Sequence, residues 1–532
     1  MFKKEFLIIV GVLFSIALSF QNCSEVTYET ALSSFVVPKQ CFDLSSEEVQ
    51  PKLKWDWQLE VDANTTETAF NQVMSSPVVG DLDRDGVPEV VVTMFSVDSN
   101  MHFSDNTYRS HHGKNGALRV LSGATGKTLF TVLDKDIAPA GHSTPLLVDL
   151  DGDKKLEIVY THYLYKKIIA INSDGSLRWE FDLNGSLGAC LFGHSSANLY
   201  NGPGNEIIVG NRIINELNGV PRVVKTIAGM SPGTCGSFAM SLDSSKPNEM
   251  QIISSSGVFD TNGVNIHAGA YGRVVASDID KSTNDLELVS VGGGIVTMNN
   301  GVTGFELFKT DLNAIADLKC PNKGSVGGGA PTIGNFDVNP LTTEIAIATG
   351  RYLIILNEKG QLIDKYETQD CSSQATGITA FDFNGDKTPE ILYSDEEYLR
   401  VFEIRAGKLT QVFKVINPSG TLSEYPIVAD LNGDFSAEIL LVANNYAAKH
   451  FYADPSEVGD RDIATVTTGI RAFEPGVENG WMPTRSSWHQ FNFSHGMVDG
   501  NNNLLNSTKT DGSLSSFRNN IQLGIEESRC NQ

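Results

Sequence analysis

The sequence predicts an all-β fold, a propeller of four-stranded antiparallel blades. Three observations carry this. A short acidic pattern recurs along the chain at a mean spacing of about 50 residues. Each recurrence leads into an apolar strand and then hairpins. No convincing amphipathic helix of normal length interrupts the series.

The pattern is clearest in "GDLDRDGVPEVVV" (80–92), which puts Asp81, Asp83, Asp85 and Glu89 within nine positions. Carboxylates this close repel unless a cation joins them. Calcium takes six to eight oxygen ligands. Positions 1, 3 and 5 of a tight loop can face one centre, with the position 7 carbonyl and the position 9 carboxylate completing the shell. Here these are Asp81, Asp83, Asp85, the carbonyl of Val87, and Glu89. Position 12 is Val92, so this is not the helix-flanked twelve-residue calcium loop. A solvated acidic turn is the alternative for one copy.

There are four strong copies. "DLDGDKKLE" supplies Asp149, Asp151, Asp153, the Lys155 carbonyl and Glu157. "DFNGDKTPE" supplies Asp382, Asn384, Asp386, the Thr388 carbonyl and Glu390. "DLNGDFSAE" supplies Asp430, Asn432, Asp434, the Ser436 carbonyl and Glu438. The indifference of side chain at position 7 is what a main-chain ligand predicts. Four weaker copies lie between the second and third strong ones: "NLYNGPGNE" (198–206), "SLDSSKPNE" (241–249), "DIDKSTNDLE" (278–287) and "NFDVNPLTTE" (335–344). They read as copies that keep the fold and have lost or weakened the metal site. The copy at 241–249 retains Asp243 and Glu249.

The eight copies begin at 81, 149, 198, 241, 278, 335, 382 and 430, a mean spacing of about 50 residues. That length suits one blade, so eight blades are expected, with seven the alternative. "YKKIIAINSDGSLRWEF" and "RYLIILNEKGQLIDKYE" read as strand, turn, strand.

The copies resemble FG-GAP or VCBS repeats, the units of the integrin alpha-chain propeller and of many bacterial surface proteins. "GGGAPTIGNFD" (327–337) carries the Gly-Ala-Pro of that family, and the resemblance covers roughly residues 70–475. It implies a structural calcium ion in each strong loop, about four in all, on one face of the disc.

The expected organisation is a signal peptide (1–22), a linker (23–52), the propeller (53–476) and a C-terminal extension (477–532). "MFKKEFLIIVGVLFSIALSF" has the basic and apolar regions of an export signal. Cleavage after Ser19 is one reading. The other makes Cys23 the lipidated first residue of an outer-membrane or cell-surface lipoprotein, against a poor Phe20-Gln21-Asn22 preceding it. Seven cysteines favour the second reading, since without Cys23 six remain to pair in an oxidising compartment. The net charge is −24, and the four strong loops hold 14 carboxylates. Four calcium ions would leave about −16, which argues against a nucleic-acid partner.

An open last blade would expose unpaired backbone. "LKWDWQLEV" (53–61) resembles the outer strand "LRWEFDL" (177–183) and is expected to complete the last blade beside "GIRAFEPG" (469–476). A Cys41–Cys530 bridge could lock that closure. An insertion at 95–116 holds His102, His111 and His112 near Asp105, and reads as a partner-contact loop more readily than as a transition-metal site. The C-terminal Trp481, Arg485, Trp488, His489 and Phe491 read as a cap on the propeller flank, or as the lining of a sugar or peptide pocket.

Two functions follow. The first is an exported calcium-binding module for a protein or carbohydrate surface ligand, acting in adhesion. The alternative is a propeller enzyme, either acting on polysaccharide or a quinone-dependent dehydrogenase. No catalytic constellation stands out, so the enzyme question is open. Lys, Arg or His converging at the axis would favour the enzyme, and a bland glycine-lined channel the binding module.

Overall fold

The computed structural model describes residues 51–57, 69–97, 115–445 apart from 186, 188–191, 235, 269–271, 322, 338 and 340, then 468–498 apart from 478–479, with 504 and 517–520. Among them are eight four-stranded antiparallel sheets, and helix is confined to short 3-10 turns. The eight blades match the eight copies, which settles the count. Blade 1 comprises Val78–Gly80, Glu89–Met94, Ala117–Ser122 and Thr128–Val132. Blades 2 to 7 span 146–182, 195–226, 238–267, 273–311, 332–367 and 379–416.

Blade 8 closes the ring. Its first three strands are Ile427–Ala429, Glu438–Ala443 and Gly469–Pro475, and its fourth is Pro51–Asp56 from the other end of the chain. The pairing runs Lys52↔Glu474, Leu53↔Phe473 and Trp55↔Ala472, with an irregularity between Leu53 and Trp55. This is the expected closure, with the strand starting at Pro51. Its tryptophans stitch blade 8 to blade 1. Trp55 Nε1 donates to the Gly123 carbonyl at 2.7 Å, and Trp57 Nε1 to Thr128 Oγ1 at 3.0 Å. The Arg119 guanidinium lies 4.6 Å over the Trp57 ring. Cys41, Cys530, Cys23 and the histidine-rich insertion lie outside the described residues. A disulfide joins Cys320 to Cys371, linking the blade 5–6 and 6–7 connections.

Neighbouring sheets pack face to face. Leu146, Val159, Ile168 and Trp179 of blade 2 meet Ile207, Val209 and Ile214 of blade 3. The short first strands, wholly buried in blades 1 and 2, surround the axis and turn backbone donors inward. Sheets of eight blades leave a wide centre, and buried N–H groups need acceptors there.

The C-terminal segment supplies them. Val79 and Trp488 exchange both backbone hydrogen bonds, at 3.0 and 2.8 Å. Leu147 N–H donates to the His489 carbonyl, Asp430 N–H to that of Arg485, and Ala380 N–H to that of Arg518. Phe517 N–H donates to the Ile333 carbonyl, and Ser196 N–H to Gln490 Oε1. Arg518 is wholly buried between Tyr425 and Phe491, 4.4 and 4.7 Å from their ring centres. This corrects the expected cap on the flank. Trp481 does pack on Phe383 at the blade 7 loop, but Arg485, Trp488, His489 and Phe491 are buried along the axis. The pairing demand of the inner strands, rather than outer apolar surface, draws the segment in.

Trp57→Ala should remove the buried ring that joins blades 8 and 1. We expect a loss of about 3–5 kcal/mol in urea denaturation, against under about 0.5 kcal/mol for Leu177→Ala on an exposed outer strand.

Candidate functional site

Each acidic loop connects the first and second strands of its blade, so all eight lie on one face. One side chain organises every loop. The first residue of the second strand accepts the N–H of the residue that follows the first loop position, at 2.8–2.9 Å throughout. The acceptors are Glu89, Glu157, Glu206, Gln251, Glu287, Glu344, Glu390 and Glu438. Blade 4 corrects the sequence reading. Gln251 takes the clamp there, while Glu249 stands exposed beside Lys246. The loop is two residues longer than the acidic spacing suggested, because the strand itself begins at Gln251.

The four strong loops share a backbone that the loops of blades 3, 4 and 5 lack. Positions 4 and 6 are both left-handed: Arg84 and Gly86, Gly152 and Lys154, Gly385 and Lys387, Gly433 and Phe435. Four of these are not glycine and carry a conformational cost of about 1–2 kcal/mol each. Asn201 keeps the first half of the pattern in blade 3, and neither position is left-handed in blades 4 and 5. Gly152 also faces blade 3, where a Cβ would come 2.3 Å from the Pro203 carbonyl.

This double turn wraps backbone donors around the position 1 carboxylate. Asp149 accepts from Gly152 and Lys154, Asp382 from Gly385 and Lys387, and Asp430 from Gly433 and Phe435. Asp81 accepts from Asp85 and Gly86. Side chains at positions 3 and 5 each hold the N–H two residues on, through Asp83 and Asp85, Asp151 and Asp153, Asn384 and Asp386, and Asn432 and Asp434.

Three carboxylates converge in blade 1 (Asp81, Asp83, Asp85) and three in blade 2 (Asp149, Asp151, Glu157), each set with oxygens within 4.8 Å of one another. Glu89 and Asp153 stand outside those sets. The donors are all hard oxygens, the set that suits calcium. Burial pushes Glu89 and Glu157 up to about 7, Asp382 and Asp430 to about 6 and Glu438 to about 8. Burial alone would also raise Asp151, but hydrogen bonding and charge from Arg178 outweigh it and lower the group.

Two loops carry a basic neighbour that the motif does not announce. Arg178 reaches Asp151 at 2.6 Å and Glu157 at 3.2 Å, and is itself held by Glu216 at 2.5 Å. Lys54 reaches Glu438 at 2.8 Å. Both follow a leucine and precede a tryptophan in the fourth strand of their blade, in "LRW" and "LKW". That shared triplet was the available signal.

The fold and its loops define an eight-bladed β-propeller carrying FG-GAP-like repeats. Residues 382–441, from the blade 7 loop into the second strand of blade 8, match the FG-GAP-like repeat family. No curated protein sequence matches the chain. Among solved structures, the biofilm matrix protein Bap1 of V. cholerae is similar with a TM-score of 0.66 at 16% identity, over 89% of this chain and 99% of that one. The exotype rhamnogalacturonan lyase YesX is similar with a TM-score of 0.51 at 17% identity, over 76% and 72%. A rhamnogalacturonan lyase of Bacillus licheniformis gives 0.51 at 15%, over 83% and 77%. At these identities the likeness concerns the fold.

The clamp can be tested apart from any metal in blade 5. Burial lifts Glu287 to about 7, against the N–H donors of Ile279 and Asp280. An unfolded glutamate titrates near 4.3. Between these values the folded chain binds more protons, so Glu287 makes stability fall as pH rises. Glu287→Gln keeps the acceptor, as Gln251 does, and removes the titration. We expect the stability difference between pH 4 and pH 8, read by urea denaturation with chelator present, to shrink by about 1–3 kcal/mol. Glu287→Ala, which also removes the titration, should be less stable than Glu287→Gln by about 1–3 kcal/mol at either pH.

Proposed function

We propose that the protein is an exported, calcium-stabilised β-propeller that binds a surface or matrix ligand without transforming it, most readily a carbohydrate. The observation that carries this reading is the filled axis. Arg518 and Arg485 do converge at the centre, as an enzyme in this fold would require, but they belong to the C-terminal segment that fills the axis and are buried within it. The acidic loop face is what the described residues offer a ligand. The similarity to a biofilm matrix protein supports a matrix role, and the similarity to rhamnogalacturonan lyases keeps polysaccharide as the ligand class. In this reading residues 1–22 direct export and Cys23 carries a lipid anchor. No helix among the described residues is long and apolar enough to cross a membrane.

Asp81, Asp83, Asp85, Val87 and Glu89 would hold one ion through four carboxylates and a carbonyl. Asp149, Asp151, Asp153, Lys155 and Glu157 would hold a second. Asp382, Asn384, Asp386, Thr388 and Glu390, and Asp430, Asn432, Asp434, Ser436 and Glu438, would hold a third and fourth. The ion would neutralise the loop and stabilise the folded state by mass action.

A glycan array probed with the full chain tests the function. We expect retention on a subset of polysaccharides, lost with chelator, with no change in their chain length. Release of unsaturated sugar ends would favour a lyase instead, and no retention on any glycan would overturn the carbohydrate reading.

Chelator should lower the melting temperature, and magnesium should restore it poorly because it demands tighter octahedral geometry. Elemental analysis should give about four calcium ions. Asp151→Ala should weaken one site and Asp243→Ala none. Calcium must displace protons from Glu89 and Glu157, which sit at about 7 when metal-free. Apparent affinity in calorimetry should therefore fall as pH drops below about 7, with proton release on binding.

A further inference from the structure

A crevice of about 190 Å3 opens where the loops of blades 1, 2 and 3 meet the C-terminal segment. Its lining is mixed, as ligand sites are. Arg84 and Lys154 stand exposed at its rim. Both are left-handed residues of adjacent loops, and Arg84 Nε donates to the Lys154 carbonyl, so backbone geometry sets the two cations side by side. Leu147, Leu156 and Pro203 give it an apolar wall.

His489 lines the interior at 4% exposure. Its carbonyl is tied to Leu147 and its ring meets Phe493 edge-on, yet neither ring nitrogen has a hydrogen-bond partner. Burial pushes it down to about 3, so the ring is neutral and offers one donor and one acceptor. Asn198 Oδ1, on the blade 3 loop, is likewise buried and unpartnered. Buried polar atoms are almost always paired, so two such side chains lining one crevice call for a hydroxyl-rich occupant.

We propose that this crevice binds a sugar unit carrying a carboxylate. Ring hydroxyls meet His489 and Asn198 Oδ1, the apolar sugar face lies on Pro203 and Leu156, and the carboxylate meets Arg84 and Lys154. Asp149 also lines the crevice, and calcium in its loop would offset that charge. The inference rests on the binding-module reading and names the ligand chemistry for it.

Calorimetric titration of the calcium-loaded full chain with glucuronate, glucose and acetate tests it. Glucuronate should bind at least about tenfold tighter than either. The double variant R84N/K154N should lose that preference and retain the glucose affinity. Asparagine suits both sites because it tolerates left-handed backbone. Lys387→Asn, the same loop position in blade 7 away from the crevice, should bind as wild type. A matching melting curve for each variant shows that folding is intact. Asn198→Leu should weaken glucuronate and glucose alike. Absent glucuronate binding by the folded, loaded protein, or wild-type affinity in R84N/K154N, would overturn the crevice. If the protein is still retained on polysaccharide in that case, the crevice alone falls. If it is not retained, the binding-module reading falls with it.

Discussion

Eight buried clamps hold this propeller's loop face. At the start of each second strand one side-chain oxygen accepts a backbone N–H from the turn leading into it. Without that acceptor the turn would bury an unpaired donor, at a cost of about 1–3 kcal/mol each time. The clamp fixes where the first strand ends and the second begins, and so sets the blade's register. It also explains why a glutamate opens the second strand of blades 3, 5 and 6, as Glu206, Glu287 and Glu344, where the rest of the acidic spacing is incomplete. In those blades the residue serves the backbone. In the strong loops the same residue can serve backbone and ion together, because one oxygen is enough for the N–H.

Much of this was legible in the sequence because it is local. The loop spacing marked the strong copies, and the structure sets the same four apart from the loops of blades 3, 4 and 5 by an independent feature, the paired left-handed residues. The closing strand was legible because "LKWDW" repeats the composition of a fourth strand seen elsewhere in the chain. Blade 4 was misread because Glu249 satisfied the spacing while the strand began two residues later. The axis was not legible at all. Gln490 meets Ser196 and Arg518 meets Ala380 across long stretches of chain, and nothing in "FRNN" announces a buried arginine. The cue was architectural, since inner strands turn donors toward a centre that something must occupy.

Arg178 and Lys54 divide the strong loops into two kinds. Those of blades 2 and 8 have a protein cation on the clamp carboxylate, whereas Glu390 in blade 7 is met by the neutral Asn384 amide. The Lys54 contact joins the chain's closing strand to the blade 8 loop, with Glu438 almost wholly buried. Removing Lys54 leaves the buried Glu438 Oε1 without its donor, at a cost of about 1–3 kcal/mol. Ring closure and the state of that loop are therefore coupled through one ammonium group. An ion bound at Asp430 and Asp434 would compete with Lys54 for the same carboxylate or share it.

The filled axis determines where chemistry can happen. Propellers commonly present polar residues in an open funnel, and here the convergent arginines and histidines spend their geometry on backbone carbonyls and aromatic faces instead. Arg485 Nη1 holds the carbonyls of His495 and Val498, and Arg518 Nη2 holds Asn492 Oδ1. Groups so engaged are positioned to keep a segment in place. His489 differs, because it sits where the axial segment passes beneath the loops of blades 1 to 3 and its ring is left to the crevice. The segment thus does two things at once. It satisfies the inner strands that would otherwise demand water or a ligand, and it carries one unpaired imidazole to the acidic-loop face.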